Sequence, residues 1–380
     1  MTDHFVVRGI LGTGTYGVVF LAHKNNEDHL YAIKMENLVT IGTSMQYYAQ
    51  PTVVGCIGPQ PMVAPLFTEE FVDYHYIPVE AYILLLTNES DRFPTLDSVY
   101  THGYYQAIVM DAHVDDEVAE SAYDPDAPFA KWNEERFSSC GGHNFVYMKE
   151  TKLQEYMVCK IASHLLEGIA YLRDMRICHN DLTMSNFVID KNLNTTLLDV
   201  GLFTFALTDD DYWAPDFTYV PGYEGNSTPE VILALLRDIY RDRLKKRTQI
   251  QVGVPHDVRK TGLWMLAADI YELLHGYMPW ENPEWDGRVS YLSQWKQQGI
   301  PRGHEQLRSY EANRRRHRVV NLEIPLRESL SQDCADAMLM MFAKDTKKRP
   351  TLPEMESFVW FGQWDYLDPE QFQRPAPYDT

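Results

Sequence analysis

The chain carries His179-Asn180-Asp181-Leu182, followed by Asn186 and, eighteen positions after Asp181, by Asp199-Val200-Gly201. Transfer of a phosphoryl group from ATP needs one carboxylate that orients and deprotonates the attacking hydroxyl. It also needs a second carboxylate and an amide oxygen that hold magnesium against the phosphates. Asp181, Asp199 and Asn186 carry these three groups. The stretch therefore predicts a phosphoryl-transfer site.

The flanking sequence predicts where these groups lie. Upstream, apolar residues recur at steps of three or four, as on one face of an amphipathic helix: Leu153, Met157, Ile161, Leu165, Ile169 and Leu172. Downstream, residues 187–189 and 195–198 read as two short strands around a polar turn. We expect the loop that holds Asp181 and the strand end that holds Asp199 to face one another.

This arrangement resembles the catalytic loop and metal-binding triplet of eukaryotic-type protein kinases, whose usual forms are H-R-D-L-x-x-x-N and D-F-G. Asn180 and Val200 depart from those forms. The resemblance implies that ATP and Mg²⁺ bind, that Asp181 is the base, and that Asn186 and Asp199 hold the metal. It also implies structural roles for His179 and Gly201.

A glycine-rich run near the amino terminus carries a second part of the resemblance: Gly12, Thr13, Gly14, Thr15, Tyr16 and Gly17. A G-x-G-x-x-G run also occurs in dinucleotide-binding folds, where it opens a helix. Here strand-forming residues follow Gly17, which favours a hairpin whose backbone N–H groups approach phosphates. Tyr31-Ala32-Ile33-Lys34, whose lysine lies seventeen residues after Gly17, resembles the V-A-I-K strand of the family. Lys34 is then expected to contact the α- and β-phosphates.

Lys34 needs a glutamate on a helix to orient it. A stretch rich in proline and glycine, residues 38–67, separates the lysine from any such helix and reads as an insertion. Beyond it, Glu80-Ala-Tyr-Ile-Leu resembles the E-x-x-I-L pattern of the family's regulatory helix. We choose Glu80 as the partner, with Glu69 and Glu70 as alternatives.

Residues 107–112 resemble the strand that runs into the hinge between the two lobes. The resemblance makes Met110 the gatekeeper and gives the adenine edge to the backbone of Asp111 and Ala112. By the same resemblance, three apolar residues enclose the adenine ring: Val19, Ala32 and Val188.

The carboxy-terminal part separates protein kinases from other ATP-using folds. Ser227-Thr-Pro-Glu230 resembles A-P-E, and Asp345-Thr-Lys-Lys-Arg349-Pro-Thr resembles D-P-x-x-R-P-T. In the family this glutamate and arginine form a buried ion pair, which small-molecule kinases of the aminoglycoside phosphotransferase type lack. Asp257 is the expected buried aspartate that anchors the catalytic loop, with a helix N-cap as its alternative role.

The predicted fold is therefore α+β, a two-lobed kinase fold with a small β-rich amino-terminal lobe and a larger, mainly helical carboxy-terminal lobe. We expect the domain to cover residues 1–365, with lobes at about 1–111 and 114–365. Residues 366–380 form a tail. A second insertion is expected at about 114–150.

The amino-acid composition restricts which partners the protein is expected to bind. A net charge of −20 argues against nucleic acid or an anionic membrane as the primary partner. We expect protein substrates, and an acidic segment between Asp115 and Asp126 suggests basic sequences among them. The oligomeric state cannot be read from the sequence. Five scattered cysteines without C-x-x-C spacing, and an amino terminus without secretory character, predict a cytoplasmic or nuclear protein that is not secreted.

Three functions stay open from the sequence: an active protein kinase, a pseudokinase that binds partners without catalysis, and a small-molecule kinase. Retention of Lys34, Asp181, Asn186 and Asp199 favours the first. The positions two and four residues after Asp181 usually differ between serine/threonine and tyrosine kinases. Here they hold Thr183 and Ser185, which match neither class. We choose serine/threonine because it is the commoner class. The irregular insertions resemble kinases of large DNA viruses, including herpesvirus-like ones, in which case the compartment would be that of the host cell.

Overall fold

The computed structural model describes residues 4–13, 17–37, 52–54, 64–66, 75–102, 105–113, 153–190, 192–201, 203–206, 208–213, 228–233, 257–280, 315–321 and 324–366. Both predicted insertions, at about 38–67 and 114–150, lie largely outside these ranges. The residues after Tyr366 also lie outside them, so the limits predicted for the domain and its tail stay predictions.

An antiparallel sheet of five strands forms the amino-terminal part, in the order β1-β2-β3-β8-β7. Its strands are β1 (Phe5–Thr13), β2 (Gly17–Lys24), β3 (Leu30–Asn37), β7 (Leu96–His102) and β8 (Tyr105–Asp111). Side chains alternate between the two faces of a strand. One face packs Phe5, Tyr31, Ile33 and Val109 together, and the other carries Lys34.

One helix, α1 (Val79–Thr87), packs beside this sheet. Its first residue follows Pro78, and no side chain caps its amino-terminal N–H groups. Proline is well tolerated at the start of a helix because the N–H that it lacks would have no intrahelical partner. Ala81, Ile83 and Leu84 are buried, so the inner face of this short helix is apolar.

The segment between β3 and α1 contributes three short strands: β4 (Thr52–Val54), β5 (Ala64–Leu66) and β6 (His75–Ile77). β5 pairs with β6. β4 pairs in parallel with a strand of the carboxy-terminal part, β12 (Phe203–Ala206). The insertion is therefore connected by backbone pairing to the segment that follows Asp199.

Helices dominate the carboxy-terminal part, and two of them form its centre. The predicted apolar stripe, apart from Leu153, lies on α2 (Glu155–Asp174), which packs against α4 (Val258–His275). α4 is buried almost throughout and carries Trp264, whose ring stacks on that of Trp280 at 6.2 Å between centroids. Further helices of this part include α3 (Asp209–Trp213), α5 (Gln332–Met341), α6 (Leu352–Glu356), α7 (Val359–Gly362) and a 3₁₀ turn at Gln363–Tyr366.

Four short strands lie between α2 and α3: β9 (Ile177–His179), β10 (Phe187–Ile189), β11 (Thr195–Leu197) and β12. β10 and β11 form the predicted hairpin, and β9 pairs with β12. The loop after β9 and the residues after β11 therefore meet on one side of this layer. The β-rich amino-terminal part and the helical carboxy-terminal part confirm the predicted α+β class. None of the helices within the described ranges combines the length and apolarity that crossing a bilayer requires.

Candidate active site

The glycine hairpin joins β1 to β2, where Gly12 pairs with Val19 and Thr13 with Val18. Gly17 starts β2 opposite Glu36 of β3. A Cβ atom at position 17 would lie 1.9 Å from the carbonyl oxygen of Met35, so only glycine fits there. Gly14, Thr15 and Tyr16, together with the side chain of Thr13, lie outside the described part of the hairpin. Their predicted contacts with phosphates stay predictions.

Lys34 lies on β3 and points its ammonium toward three carboxylates. Its Nζ atom is 2.5 Å from Oε2 of Glu80, 3.0 Å from Oδ1 of Asp199 and 3.5 Å from Oε1 of Glu36. These contacts join the strand, helix α1 and the residues after β11. The structure therefore places Lys34 beside Glu80, the partner chosen from the sequence, and also beside Asp199, a contact that the sequence did not predict. Glu36 was not expected there.

The predicted alternatives to Glu80 were Glu69 and Glu70, which lie outside the described residues. Glu80 is buried, with 7% of its side chain exposed, and occupies the first turn of α1. A buried carboxylate is rarely tolerated without a partner, and the ammonium of Lys34 supplies one. The geometry thus favours the choice of Glu80.

Burial and charge oppose each other in this cluster. Burial disfavours the charged form of Lys34, but Glu80, Asp199 and Glu36 outweigh it and raise the pKa of the ammonium. Burial also opposes ionisation of Asp199, yet the adjacent ammonium lowers the pKa of that carboxyl below its usual value. For Glu80, burial and the two neighbouring carboxylates raise the pKa above the ordinary range for glutamate. Lys34 and Asp199 are therefore charged at neutral pH.

Residues 179–186, the loop predicted to be catalytic, are held by hydrogen bonds to one another and to Leu198. The backbone N–H of Asp181 donates to Nδ1 of His179, and Nε2 of the same ring donates to the carbonyl of Leu198, each at 3.2 Å. The two bonds need a neutral imidazole with its proton on Nε2, and burial lowers the pKa of His179 accordingly. The amide of Asn186 donates to Oδ2 of Asp181 at 2.9 Å and to its carbonyl at 2.7 Å. Asp181 and Asn186 therefore form one unit.

Asp199 follows β11 and joins this unit through the backbone. The N–H of Leu198 donates to the carbonyl of Asn186 at 2.7 Å, which places Asp199 beside the loop. Asp199 has a φ of 51°, a left-handed conformation that is uncommon for a residue other than glycine. Such strain concentrates at functional sites. A Cβ on Gly201 would lie 3.3 Å from Oδ1 of Asp199, so a larger residue there would crowd the carboxylate.

Residues expected around the adenine ring lie on β2, β3, β8 and β10. Met110 and Ala112 are buried, Ala32 is paired with Met110, and Val188 is buried on β10. The N–H groups of Asp111 and Ala112 already donate to the carbonyls of Thr95 and Leu30. Among the described hinge residues, this leaves the N–H of His113 without a backbone partner. Val188 also lines a polar cavity of about 420 Å³, which it shares with Asp91, Arg92, His113, Asp190, Asn194 and Thr196.

The pair expected in the carboxy-terminal part is formed. The guanidinium of Arg349 binds both carboxylate oxygens of Glu230, at 2.8 and 3.1 Å. Its side chain is fully buried, donates also to the carbonyl of Ala343, and lies 5.1 Å from the ring centroid of Trp264. This bidentate geometry is the strongest form of a carboxylate–guanidinium contact.

The structure corrects the expectation for Asp257. Its side chain caps α4 by accepting from the N–H of Arg259 at 3.2 Å and pairs with the guanidinium of that arginine at 2.7 Å. It makes no hydrogen bond to residues 179–186. The prediction failed because a polar residue just before a helix is satisfied locally by the free N–H groups of the first turn.

A different aspartate lies under the catalytic loop. Asp269 lies in the middle of α4 and is fully buried. Burial, with Glu272 and Asp181 nearby, raises its pKa well above the usual value, and the backbone of Met184 is close to it. The sequence signal was available: an acidic residue inside the apolar run 263–274.

Comparison with known proteins agrees with this geometry. Residues 136–361 match the family described as protein kinase domain, which is more than half of the chain. The chain therefore belongs to the protein kinase family, and the predicted superfamily and two-lobed fold are confirmed.

Similar curated proteins carry kinase names at low identity. The chain is 25% identical over 151 residues to "Fatty acyl-CoA synthetase and RNA processing-associated kinase 1" of Saccharomyces cerevisiae, which covers 38% of this chain and 15% of that protein. It is 24% identical over 151 residues to "Serine/threonine-protein kinase KIN4" of the same organism, with coverage of 38% and 16%. Against "Serine/threonine-protein kinase SRK2I" of Arabidopsis thaliana it is 25% identical over 198 residues, covering 52% and 43%. The chain thus spans less than half the length of each of these relatives.

Proposed function

We propose that this protein transfers the γ-phosphoryl group of ATP to protein hydroxyls, those of serine or threonine. One observation carries the proposal: Lys34 is paired with both Glu80 and Asp199, while Asn186 binds Asp181 in the loop alongside. Residues from a strand, a helix and two loops converge there. The membership in the protein kinase family supports the same reading.

Each residue then has a task. Asp181 accepts a hydrogen bond from the substrate hydroxyl and takes its proton, and the amide of Asn186 fixes the orientation of that carboxylate. Lys34 offers its ammonium to the phosphates. The hairpin is suited to cover the phosphates, and Gly17 lets the start of β2 lie directly against β3. The N–H of His113, which donates to no carbonyl within the described part of the chain, is suited to bind the adenine edge beside Asp111 and Ala112.

The residues present fit a magnesium ion. Asp199 supplies an ionised carboxylate and Asn186 an amide oxygen on adjacent backbone. Mg²⁺ is typically bound by one or two carboxylates plus substrate phosphates rather than by a full cage of side chains. When bound, the ion would neutralise phosphate charge as it develops during transfer.

Two other functions were open from the sequence. A pseudokinase would not need Lys34, Asp181, Asn186 and Asp199 in one connected arrangement. A small-molecule kinase of the aminoglycoside phosphotransferase type would not need the buried Glu230–Arg349 pair. Both observations favour a protein kinase.

The test is incubation of purified protein with magnesium, ATP and peptide libraries, with phosphosites mapped by mass spectrometry. Asp181→Asn and Asp199→Asn are the matched variants, because each removes one charge without changing side-chain size. We expect transfer to serine or threonine that falls by about 100-fold or more in either variant. Near-native activity of either variant, or transfer only to small molecules, would contradict the proposal.

Three further proposals, on substrate preference, origin and location, accompany the proposed function. The acidic segment 115–126, which lies outside the described residues, supports a preference for basic substrates, and the same peptide library tests it. The irregular insertions support an origin in a large DNA virus, which a survey of viral kinases for the same insertions would test. Cysteine usage supports a cytoplasmic or nuclear location, to be checked by microscopy of a tagged protein.

A further inference from the structure

Glu36 is a buried acidic residue for which the mechanism above has no use. It lies on β3 two residues after Lys34, so both side chains project from the same face of the strand. Only 9% of its side chain is exposed. Glutamate is almost never buried to this extent without a charged partner. Its Oε1 atom is 3.5 Å from Nζ of Lys34, which makes that ammonium its counterion.

A second contact keeps Glu36 in place. Gln106, directly opposite on β8, donates its side-chain amide to Oε2 of Glu36 at 2.5 Å. One oxygen is thus held by the neighbouring strand while the other faces Lys34. Because β3 and β8 pair without interruption from Tyr31 to Asn37, this position is set by the sheet and not by α1.

Glu80 is positioned by a helix and not by the sheet. It stands in the first turn of α1, a helix of nine residues whose amino terminus has no side-chain cap. An uncapped end leaves backbone N–H groups without partners and frays more readily. Lys34 therefore has one carboxylate fixed by the sheet and one carried by a short helix.

The third carboxylate is the one that can leave. Asp199 has 40% of its side chain exposed, compared with 9% for Glu36 and 7% for Glu80. An ammonium has three N–H donors. When a phosphate approaches from solvent, it can replace Asp199 while the two buried carboxylates keep their contact.

We propose that Glu36 is a positioning residue for Lys34, acting from the strand in parallel with Glu80 on the helix. The inference rests on the proposed function, in which Lys34 binds phosphates. Either glutamate alone then holds the lysine well enough for nucleotide binding. The ammonium is no longer oriented toward the phosphates only when both glutamates are replaced by uncharged residues.

The test is a double-mutant cycle of Glu36→Gln, Glu80→Gln and the pair together. The matched control is Glu89→Gln, at an exposed position just after α1. The dissociation constant of a non-hydrolysable ATP analogue with magnesium is measured by calorimetry, and kcat and KM for ATP by initial rates. We expect each single variant to weaken binding by a few fold. The double variant should weaken it about tenfold beyond the product of the singles, as for coupled residues in contact.

Two further variants make the result specific. Gln106→Leu releases Glu36 without touching the lysine, so in the Glu80→Gln background it should weaken binding in the same direction. It also replaces the double variant if that one does not fold. Glu36→Asp keeps the charge and should restore part of the loss. A merely structural role for Glu36 would lower the unfolding temperature without changing the dissociation constant or KM.

The opposite results overturn the proposal. These are a double variant no worse than the product of the singles, or tighter nucleotide binding in Glu36→Gln, which would mean that Glu36 only adds negative charge. The binding cycle needs no turnover. A wild-type protein that binds nucleotide but transfers nothing would therefore contradict the proposed function and still decide the role of Glu36, whereas failure to bind nucleotide would overturn both.

Discussion

Lys34 is the residue on which the site converges, and its loss should separate activity from folding. We expect Lys34→Met to lower kcat/KM for ATP by about 100-fold or more, because the ammonium that contacts both Glu80 and Asp199 is removed. Glu80, whose pKa is already raised by burial, can then bind a proton, which limits the cost to the fold. Initial rates and thermal unfolding of the same preparation test this. If the loss of unfolding free energy were as large as the loss of activity expressed as a free energy, Lys34 would be chiefly structural.

His164 predicts a pH dependence of stability. It is buried on α2, its Nδ1 accepts from the N–H of Thr195 at 3.2 Å, and its ring packs against Trp364. Burial lowers the pKa of His164 to about 3, from an ordinary value of 6.5. The unfolded chain therefore binds a proton that the folded protein does not. The stability contributed by the neutral ring is complete above pH 6.5 and is lost as pH falls toward 3.

We expect the free energy of unfolding to fall by about 1 kcal/mol between pH 7 and pH 5.5 through this residue alone. His164→Asn keeps an acceptor near the position of Nδ1 but cannot titrate, so its stability should change correspondingly less over that range. Urea unfolding of both proteins at the two pH values gives the comparison. Identical pH dependence would show that His164 is already protonated or is exposed in the native state.

At the level of elements, β9 and β12 define how the segment after Asp199 is held. Asn180 occupies the position where many kinases carry an arginine that binds a phosphorylated activation segment. Its amide instead donates to the hydroxyl of Thr204 on β12 at 2.8 Å, with both residues buried. Arg176 binds Asp209, and Arg259 binds the carbonyl of Tyr212, so α3 is also held without phosphate.

We therefore expect activity without phosphorylation between Asp199 and Glu230. A neutral amide cannot make the charge-assisted contact that a phosphate needs, and the acidic first turn of α3 would repel it. Phosphatase treatment followed by an initial-rate assay should leave the rate unchanged within about twofold, the scatter expected for ΔΔG near zero. A large, reversible loss of activity on dephosphorylation, mapped to this segment, would disprove the expectation.

Thr204→Val, which leaves the amide of Asn180 buried without its acceptor, should cost about 1–3 kcal/mol of stability.

At the scale of the whole molecule, the Glu230–Arg349 pair ties the segment before α4 to the carboxy-terminal helices. We expect Arg349→Met to lower the free energy of unfolding by about 3–5 kcal/mol, because Glu230 would lose its buried partner. The control is Arg92→Met, which breaks a more exposed pair with Glu167 and should cost about 1 kcal/mol or less. Chemical denaturation of both variants provides the measurement. Similar losses would show that burial of Arg349 contributes little.

The sequence by itself determined the class of protein and pointed to the residues from which its chemistry is proposed. Asp181, Asn186 and Asp199 could be identified because their spacing along one short stretch is a local property. The apolar stripe of α2 and the hairpin of β10 and β11 followed from periodicity, which is local as well. The pattern around Glu80 also pointed to the partner that Lys34 has.

Only the tertiary structure decided which distant residues meet. Asp257 looked like the anchor of the catalytic loop but is satisfied within its own helix end, while Asp269 lies beneath the loop because the buried face of α4 carries it there. Glu36 gave no signal because its significance depends on the register of β3 with β8 and on α1 packing across the sheet. Electrostatic interactions depend on distances between side chains, and those distances are set only when separate elements pack together.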